Sequence, residues 1–168
     1  QLIKEGLKVG ENFDAMEGVI IDPGHCWLIE IGDNVTLAPR VHLLAHDASM
    51  KKSLNYTKIG KIKIGDNVFI GPNVSILTPL HPLRWQERNI FRRADGVLTD
   101  KEYGKPITIE NNCWLAGNVT ICGGVTIGEG SVIGAGSVVT RDIPANSLAV
   151  GNPCKVIRTI TEEDSLQM

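Results

Sequence analysis

No apolar run in this sequence approaches the roughly 18 residues that a membrane-crossing helix needs, and residues 1–10 lack the apolar core of a secretory signal. A membrane partner is therefore not expected, and a soluble, cytoplasmic protein is. The four cysteines, Cys26, Cys113, Cys122 and Cys154, include no CxxC pair and no spacing typical of a zinc site. They are expected to be reduced packing residues, and no metal is expected. An excess of one charge is missing too. Seventeen Lys and Arg against 19 Asp and Glu leave a net charge of −2, mixed along the chain, which argues against nucleic acid or another polyanion as partner. At 168 residues the chain is long enough to bury a core and short enough to form a single domain, 1–168.

Helical periodicity is absent where the pattern is clearest. Ile109, Leu115, Ile121, Ile127, Ile133 and Val139 stand six residues apart, and the fifth places of these hexads hold Cys113, Val119, Val125, Ser131 and Ser137. A period of 3.6 would throw alternate hexads onto the wrong face, and a plain strand would repeat every two residues. Short extended segments joined by tight bends fit, with one large aliphatic and one small residue per hexad pointing inward. Asn112, Asn118, Gly124, Gly130 and Gly136 are among the residues suited to the bends. The register also appears as Val9, Ala15 and Ile21 with Phe13 and Val19, as Ile31, Leu37 and Leu43 with Val35 and Val41, and as Ile64, Ile70 and Ile76 with Val68 and Val74. Three hexads per turn predict about five turns of a three-sided, all-β parallel β-helix, a hexapeptide-repeat solenoid.

Two long loop excursions interrupt the register, at about 44–63 and about 77–108. Stretches of this length inside a compact domain are usually functional or disordered. The second holds His81, Arg84, Trp85, Arg88, Phe91, Arg92, Arg93 and Tyr103, a mixture that suits a ligand site. The segments that introduce the two excursions echo each other, both opening Ile-Gly-Asp-Asn-Val, and a histidine stands at the start of each: His46 and His81. A histidine leaving a rigid coil edge is placed where chemistry can use it. His42 falls in an outward hexad position and His25 in the Asp22-Pro-Gly bend, and neither is assigned a role. In the tail, about 155–168, Thr161-Glu-Glu-Asp164 carries a capping-box signal for a short C-terminal helical turn.

Several segments together carry a resemblance: Thr78-Pro-Leu-His81-Pro, Glu102-Tyr-Gly-Lys-Pro106-Ile-Thr-Ile, Val132-Ile-Gly-Ala-Gly-Ser-Val-Val-Thr140, Asp142-Ile-Pro-Ala-Asn146 and Gly151-Asn-Pro-Cys-Lys-Val-Ile-Arg158. The chain resembles the maltose and galactoside O-acetyltransferases of the hexapeptide-repeat acyltransferase family, densely from about residue 64 to 160. The resemblance implies a left-handed coil, a homotrimer, and acetyl-CoA as co-substrate in the groove between adjacent subunits. It also implies His81 as the catalytic histidine, and Gly117, Ala135, Thr140, Arg141, Lys155 and Arg158 as coenzyme A contacts. Trp114 is expected to face outward beside this track, and Ala116 and Gly117 to allow close approach of a pantetheine arm.

The chemistry is consistent with those assignments. Acyl transfer from a thioester to a sugar or glycan hydroxyl needs a base, and a positioned imidazole contributes ~10²–10⁴-fold. The Gly117 N–H, where many relatives place a serine, is the candidate oxyanion donor. Arg141, Lys155 and Arg158 offer cations to phosphates. The family's sugar-binding asparagine falls nearest Ala38, so the acceptor pocket is expected to use other residues, with His46 and Asp47 lining it. Two alternatives compete. A γ-carbonic-anhydrase-like zinc hydratase needs three histidines at one metal, whereas His42 and His46, four apart on a strand edge, point in different directions. A non-catalytic trimeric coil would leave His81 and the Arg141/Arg158 pair without use.

Overall fold

The computed structural model describes residues 1–166. Most hexads form a strand of two or three residues followed by a bend, and the chain visits three parallel sheets in fixed rotation. The first sheet stacks Lys8–Val9, Ile29–Ile31, Ile62–Ile64, Ile107–Ile109 and Thr126–Ile127. The second stacks Asp14–Ala15, Thr36–Leu37, Phe69–Ile70, Trp114–Leu115, Val132–Ile133 and Ser147–Val150. The third stacks Ile20–Ile21, His42–Leu44, Ser75–Leu77, Thr120–Cys122 and Val138–Val139.

The pairing register carries the six-residue period into three dimensions. Leu37, Ile70, Leu115, Ile133 and Ala149 are direct neighbours up the second sheet. Leu43, Ile76, Ile121 and Val139 form the matching column in the third. These side chains, with Val35, Val41, Val68, Val74 and Val119 from the fifth places, are shut off from solvent. Each fully buried aliphatic contributes roughly 1.5–3 kcal/mol, and the columns repeat that contribution circuit after circuit. Ala15 departs from the expectation: it is exposed, because its strand ends the second sheet and none of the described residues forms a circuit beneath it.

At the edge between the first and second sheets, Asn12, Asn34, Asn67 and Asn112 all take φ between 53° and 60°. Asparagine tolerates this left-handed conformation better than most residues. Their side chains then form a ladder, each amide donating to the oxygen of the next, from Asn12 to Asn34 (2.9 Å), Asn67 (3.1 Å) and Asn112 (3.2 Å), ending on Glu129 (2.9 Å).

The excursions leave the edge after the third sheet, and both are more ordered than their composition suggests. The first folds back as a hairpin of His46–Asp47 with Lys58–Ile59, with the helix Lys51–Leu54 at its tip. The second pairs Pro79–Leu80 with Tyr103–Gly104 and Phe91–Arg92 with Leu98–Thr99. Tyr103–Gly104 packs on both strands of the first hairpin. Glycine is required there, since a Cβ at Gly104 would lie 2.4 Å from the Ile59 carbonyl oxygen. The two excursions are thus one packed unit, which positions the site described next.

The tail also differs from expectation. Lys155–Thr159 forms a strand antiparallel to Ser147–Val150. The predicted turn follows as a 3₁₀ segment, Glu162–Asp164, with the Thr161/Asp164 capping box in place; residues 167–168 of the tail lie outside the described residues. Among the described residues, no helix is long and apolar enough to cross a membrane.

Candidate active site

His81 follows the strand Pro79–Leu80 and sits where the two excursions meet. Its Nε2 lies 2.9 Å from Asp47 Oδ2 and its Nδ1 2.9 Å from Glu102 Oε1. The imidazole is 42% exposed, while the side chains of Asp47 and Glu102 are only 9% and 5% exposed. An accessible base therefore stands between two nearly buried carboxylates, one from each excursion. The Glu102 carboxylate is fixed from the far side, where Ser49 Oγ donates to Oε2 at 2.7 Å. The Glu102 amide donates to Asp100 Oδ1 at 3.0 Å, and Lys58 Nζ lies 3.4 Å from the same oxygen. The Asp100 amide in turn donates to Tyr56 Oη at 3.1 Å. Ser49, Tyr56 and Lys58 of the first excursion thus hold Asp100 and Glu102 of the second.

Asp47 was expected to line this pocket and does touch His81. Among the described residues Asp47 Oδ2 is buried without a hydrogen bond, and the ring's contacts with Asp47 and with Glu102 are both ones of proximity. Glu102 was not singled out as a site residue. Its signal was its place in Glu102-Tyr-Gly-Lys-Pro106, immediately before the repeat resumes at Ile107.

His46, the other expected pocket residue, turns to the preceding circuit, because alternate residues of a strand face opposite ways. Its Nδ1 pairs with Asp22 Oδ2 at 2.5 Å, and its ring stacks on His25 with centroids 4.4 Å apart. Burial alone pushes the Asp22 carboxyl up, but the hydrogen bonds from His46 and from the Ala45 amide outweigh it and hold the group below its ordinary value. His25 was assigned no role from sequence. The structure places it in this cluster, while His42 stays on its strand in the third sheet.

The residues expected to hold coenzyme A fall in two groups. Ala116, Gly117 and Ala135 line the edge between the second and third sheets, following Trp114–Leu115 and Val132–Ile133. Trp114 faces outward, 52% exposed, beside Phe69 in the neighbouring strand. A Cβ at Gly117 would meet only Pro72, at 3.5 Å, so the surface there is open. Among the described residues, the Gly117 N–H has no hydrogen-bond acceptor. The second group, Thr140, Arg141 and Lys155, lines a cavity of about 460 Å³ with Pro153 and Cys154. Neither Arg141 nor Lys155 has a salt-bridge partner among the described residues, so both remain available to an anion. Arg158 is different, because it is committed to Asp164 through two contacts of 2.7 and 2.5 Å.

Residues 106–141 match the family model for the bacterial transferase hexapeptide (six repeats), and residues 61–79 match the hexapeptide repeat of succinyl-transferase. A candidate acetyltransferase of Staphylococcus aureus strain MRSA252 is 46% identical over 142 residues, 84% of this chain and 60% of its own length. The chain spans 41–60% of the length of the curated relatives it matches. Among solved structures, a maltose O-acetyltransferase from Clostridium difficile 630 is 39% identical with a TM-score of 0.72, over 95% of this chain and 73% of that one. A hexapeptide-repeat acetyltransferase of Vibrio cholerae complexed with acetyl coenzyme A is 30% identical with a TM-score of 0.68, over 95% and 74%. The repeat, the three-sheet rotation and these likenesses agree, and the chain belongs to the hexapeptide-repeat acetyltransferases.

Proposed function

We propose that this protein is a left-handed parallel β-helix that works as a homotrimer and transfers an acetyl group from acetyl-CoA to a hydroxyl of a sugar or glycan, with His81 as general base. The observation that carries this reading is the placement of His81, accessible between Asp47 and Glu102 where the two excursions join. The solved relatives supply the chemical class, since one is named for maltose and another is complexed with acetyl coenzyme A.

The chain's own residues divide the work. Glu102, fixed by Ser49 and by the Asp100 turn, holds the Nδ1 side of His81 and sets the ring's orientation. Asp47, 2.9 Å from Nε2, lines the acceptor side of the ring. His81 takes the proton of the attacking hydroxyl and gives it to the departing thiolate. The Gly117 N–H offers a donor to the negative charge that develops on the acyl oxygen. Arg141 and Lys155 bind phosphates at the mouth of the cavity they line.

His81 leaves the stack after the third sheet, whereas Gly117 lies at the edge between the second and third. This separation favours a site completed by a second copy, with the outward Phe69 and Trp114 near the shared groove. The metal hydratase alternative is not favoured, since His42 does not join the other histidines.

The test is free-thiol release from acetyl-CoA against a panel of mono- and disaccharides. Turnover with one acceptor class, reduced ~10²-fold or more in His81→Ala, is the expected result. Wild-type turnover in His81→Ala would remove the base assignment.

A further inference from the structure

Asp22, His25 and His46 form a second cluster of donor atoms, on the opposite side of the strand His46–Asp47 from His81. We infer that this cluster is a binding site for a divalent transition-metal ion of the zinc type, with Asp22 Oδ2, His25 Nδ1 and His46 Nδ1 as ligands. The ligand atoms of the three side chains lie within 4.8 Å of one another.

Part of this arrangement has a metal-free explanation. Asp22 is buried and accepts from the amides of Gly24 and His25 at 3.2 Å each, from Ala45 at 3.0 Å, and from His46 Nδ1 at 2.5 Å. Those four donors account for Asp22 and His46 as a structural pair joining the first circuit to the base of the first excursion.

They do not account for His25. Among the described residues its Nδ1 is buried without a hydrogen bond, 3.7 Å from Asp22 Oδ1, while the ring stacks on His46. As a lone pair, that nitrogen faces a carboxylate oxygen; as an N–H, it is a buried donor left unbonded. A cation between the three side chains resolves both conflicts, because it takes the lone pairs of two imidazoles and neutralises the carboxylate. Two imidazoles and one carboxylate, with further positions open, are a recurrent donor set for zinc and related divalent ions. With bonds of about 2.0–2.1 Å to the metal, the His46–Asp22 contact must open from 2.5 Å to roughly 3 Å and the stacked imidazoles must turn so that both Nδ1 lone pairs converge, side-chain adjustments only. The expectation of a metal-free protein rested on cysteine spacing and on His42, His46 and His81 not converging, and a site made from a bend and a strand 21 residues apart (His25 to His46) shows in neither.

The ion would tie the Asp22–His25 bend to His46, whose neighbour is Asp47. The site is thus structural toward the excursion that carries part of the active site, and the inference does not depend on acetyl transfer. The experiment is to strip the purified protein with a chelator, add a small excess of zinc chloride, and remove unbound metal by gel filtration. Zinc per chain and the melting temperature are then measured for the wild type, His25→Ala, His25→Gln, His81→Ala and a Cys122→Ser/Cys154→Ser double variant.

The expected result is one zinc per wild-type chain with a rise in melting temperature, both retained in His81→Ala and in the cysteine variant. Affinity should fall in both His25 variants by more than the ~10–100-fold that loss of a supporting residue costs, with their metal-free melting temperatures near that of the wild type. The inference is overturned if the stripped wild type takes up no zinc, if both His25 variants bind it unchanged, or if binding is lost in His81→Ala or the cysteine variant instead. If His25→Ala does not fold, His25→Gln alone decides.

Discussion

Between the first and second sheets, Asn12, Asn34, Asn67 and Asn112 repeat one bend, and each polar side chain is answered by the next. After the third sheet the chain instead carries Asp22, His46 and His81, with Asp47, Asp100 and Glu102 folded against them. The three buried side-chain polar atoms that lack a hydrogen bond among the described residues, His25 Nδ1, Asp47 Oδ2 and Asp100 Oδ2, all belong to this second edge or its excursions. Burying polar atoms without partners costs free energy. One edge of the same stack therefore closes its polar groups on each other and serves stability. The other leaves three buried groups without a hydrogen bond among the described residues, and the proposed sites lie there.

The largest expected effect separates the stack from its functional edge. Leu115 is fully buried between Ile70 and Ile133, so Leu115→Ala should destabilise by about 2–5 kcal/mol. His81→Ala, which removes a ring that is 42% exposed, should cost clearly less stability than Leu115→Ala, while turnover with acetyl-CoA is expected to fall ~10²-fold or more. Urea unfolding of the two variants is the check. An equal loss of stability in His81→Ala would break the division between a stabilising stack and a functional edge.

A smaller effect tests how the asparagine edge works. Asn67 sits at φ 55° and bonds to both Asn34 and Asn112. Asn67→Ala should cost roughly 1–2 kcal/mol for the left-handed backbone, with the two ladder bonds adding to the loss. Asn67→Gly recovers the backbone part and should fall between alanine and wild type in urea midpoint. If glycine and alanine are equally destabilised, the ladder rather than the backbone carries the edge.

The same division explains what could be read from sequence. Inward hexad positions such as Ile76, Ile121 and Val139 are local and periodic, so their burial and their column followed from spacing alone. The exposure of Ala15 did not, because its hexad has the right spacing but no circuit of the described residues beneath it. At the functional edge the determining contacts are long-range. Asp22 and His46 are 24 residues apart and Ser49 and Glu102 are 53 apart, and no local period links them. His81 and Asp47 were reachable through motif context and coil-edge placement. Glu102 and His25 acquire their meaning only when the excursions close. Arg158, expected at a phosphate, has its charge answered within the tail by Asp164.

That tail pair gives the smallest expected effect and a third kind of polar contact, paired but exposed. The Arg158 guanidinium beside Asp164, helped by the Thr161 amide, brings the Asp164 carboxyl down to about 2 from 3.8. A depressed carboxylate stabilises the folded state above its unfolded value, and that contribution disappears as the pH falls through the folded value. Asp164→Asn should therefore lower the melting temperature slightly at pH 7, with the difference shrinking between pH 3.8 and about 2. Added salt should shrink it at every pH, since exposed pairs are screened. A difference that persists in high salt would mean that Asp164 holds the tail through its hydrogen bonds, the Thr161 amide among them, and not through its charge.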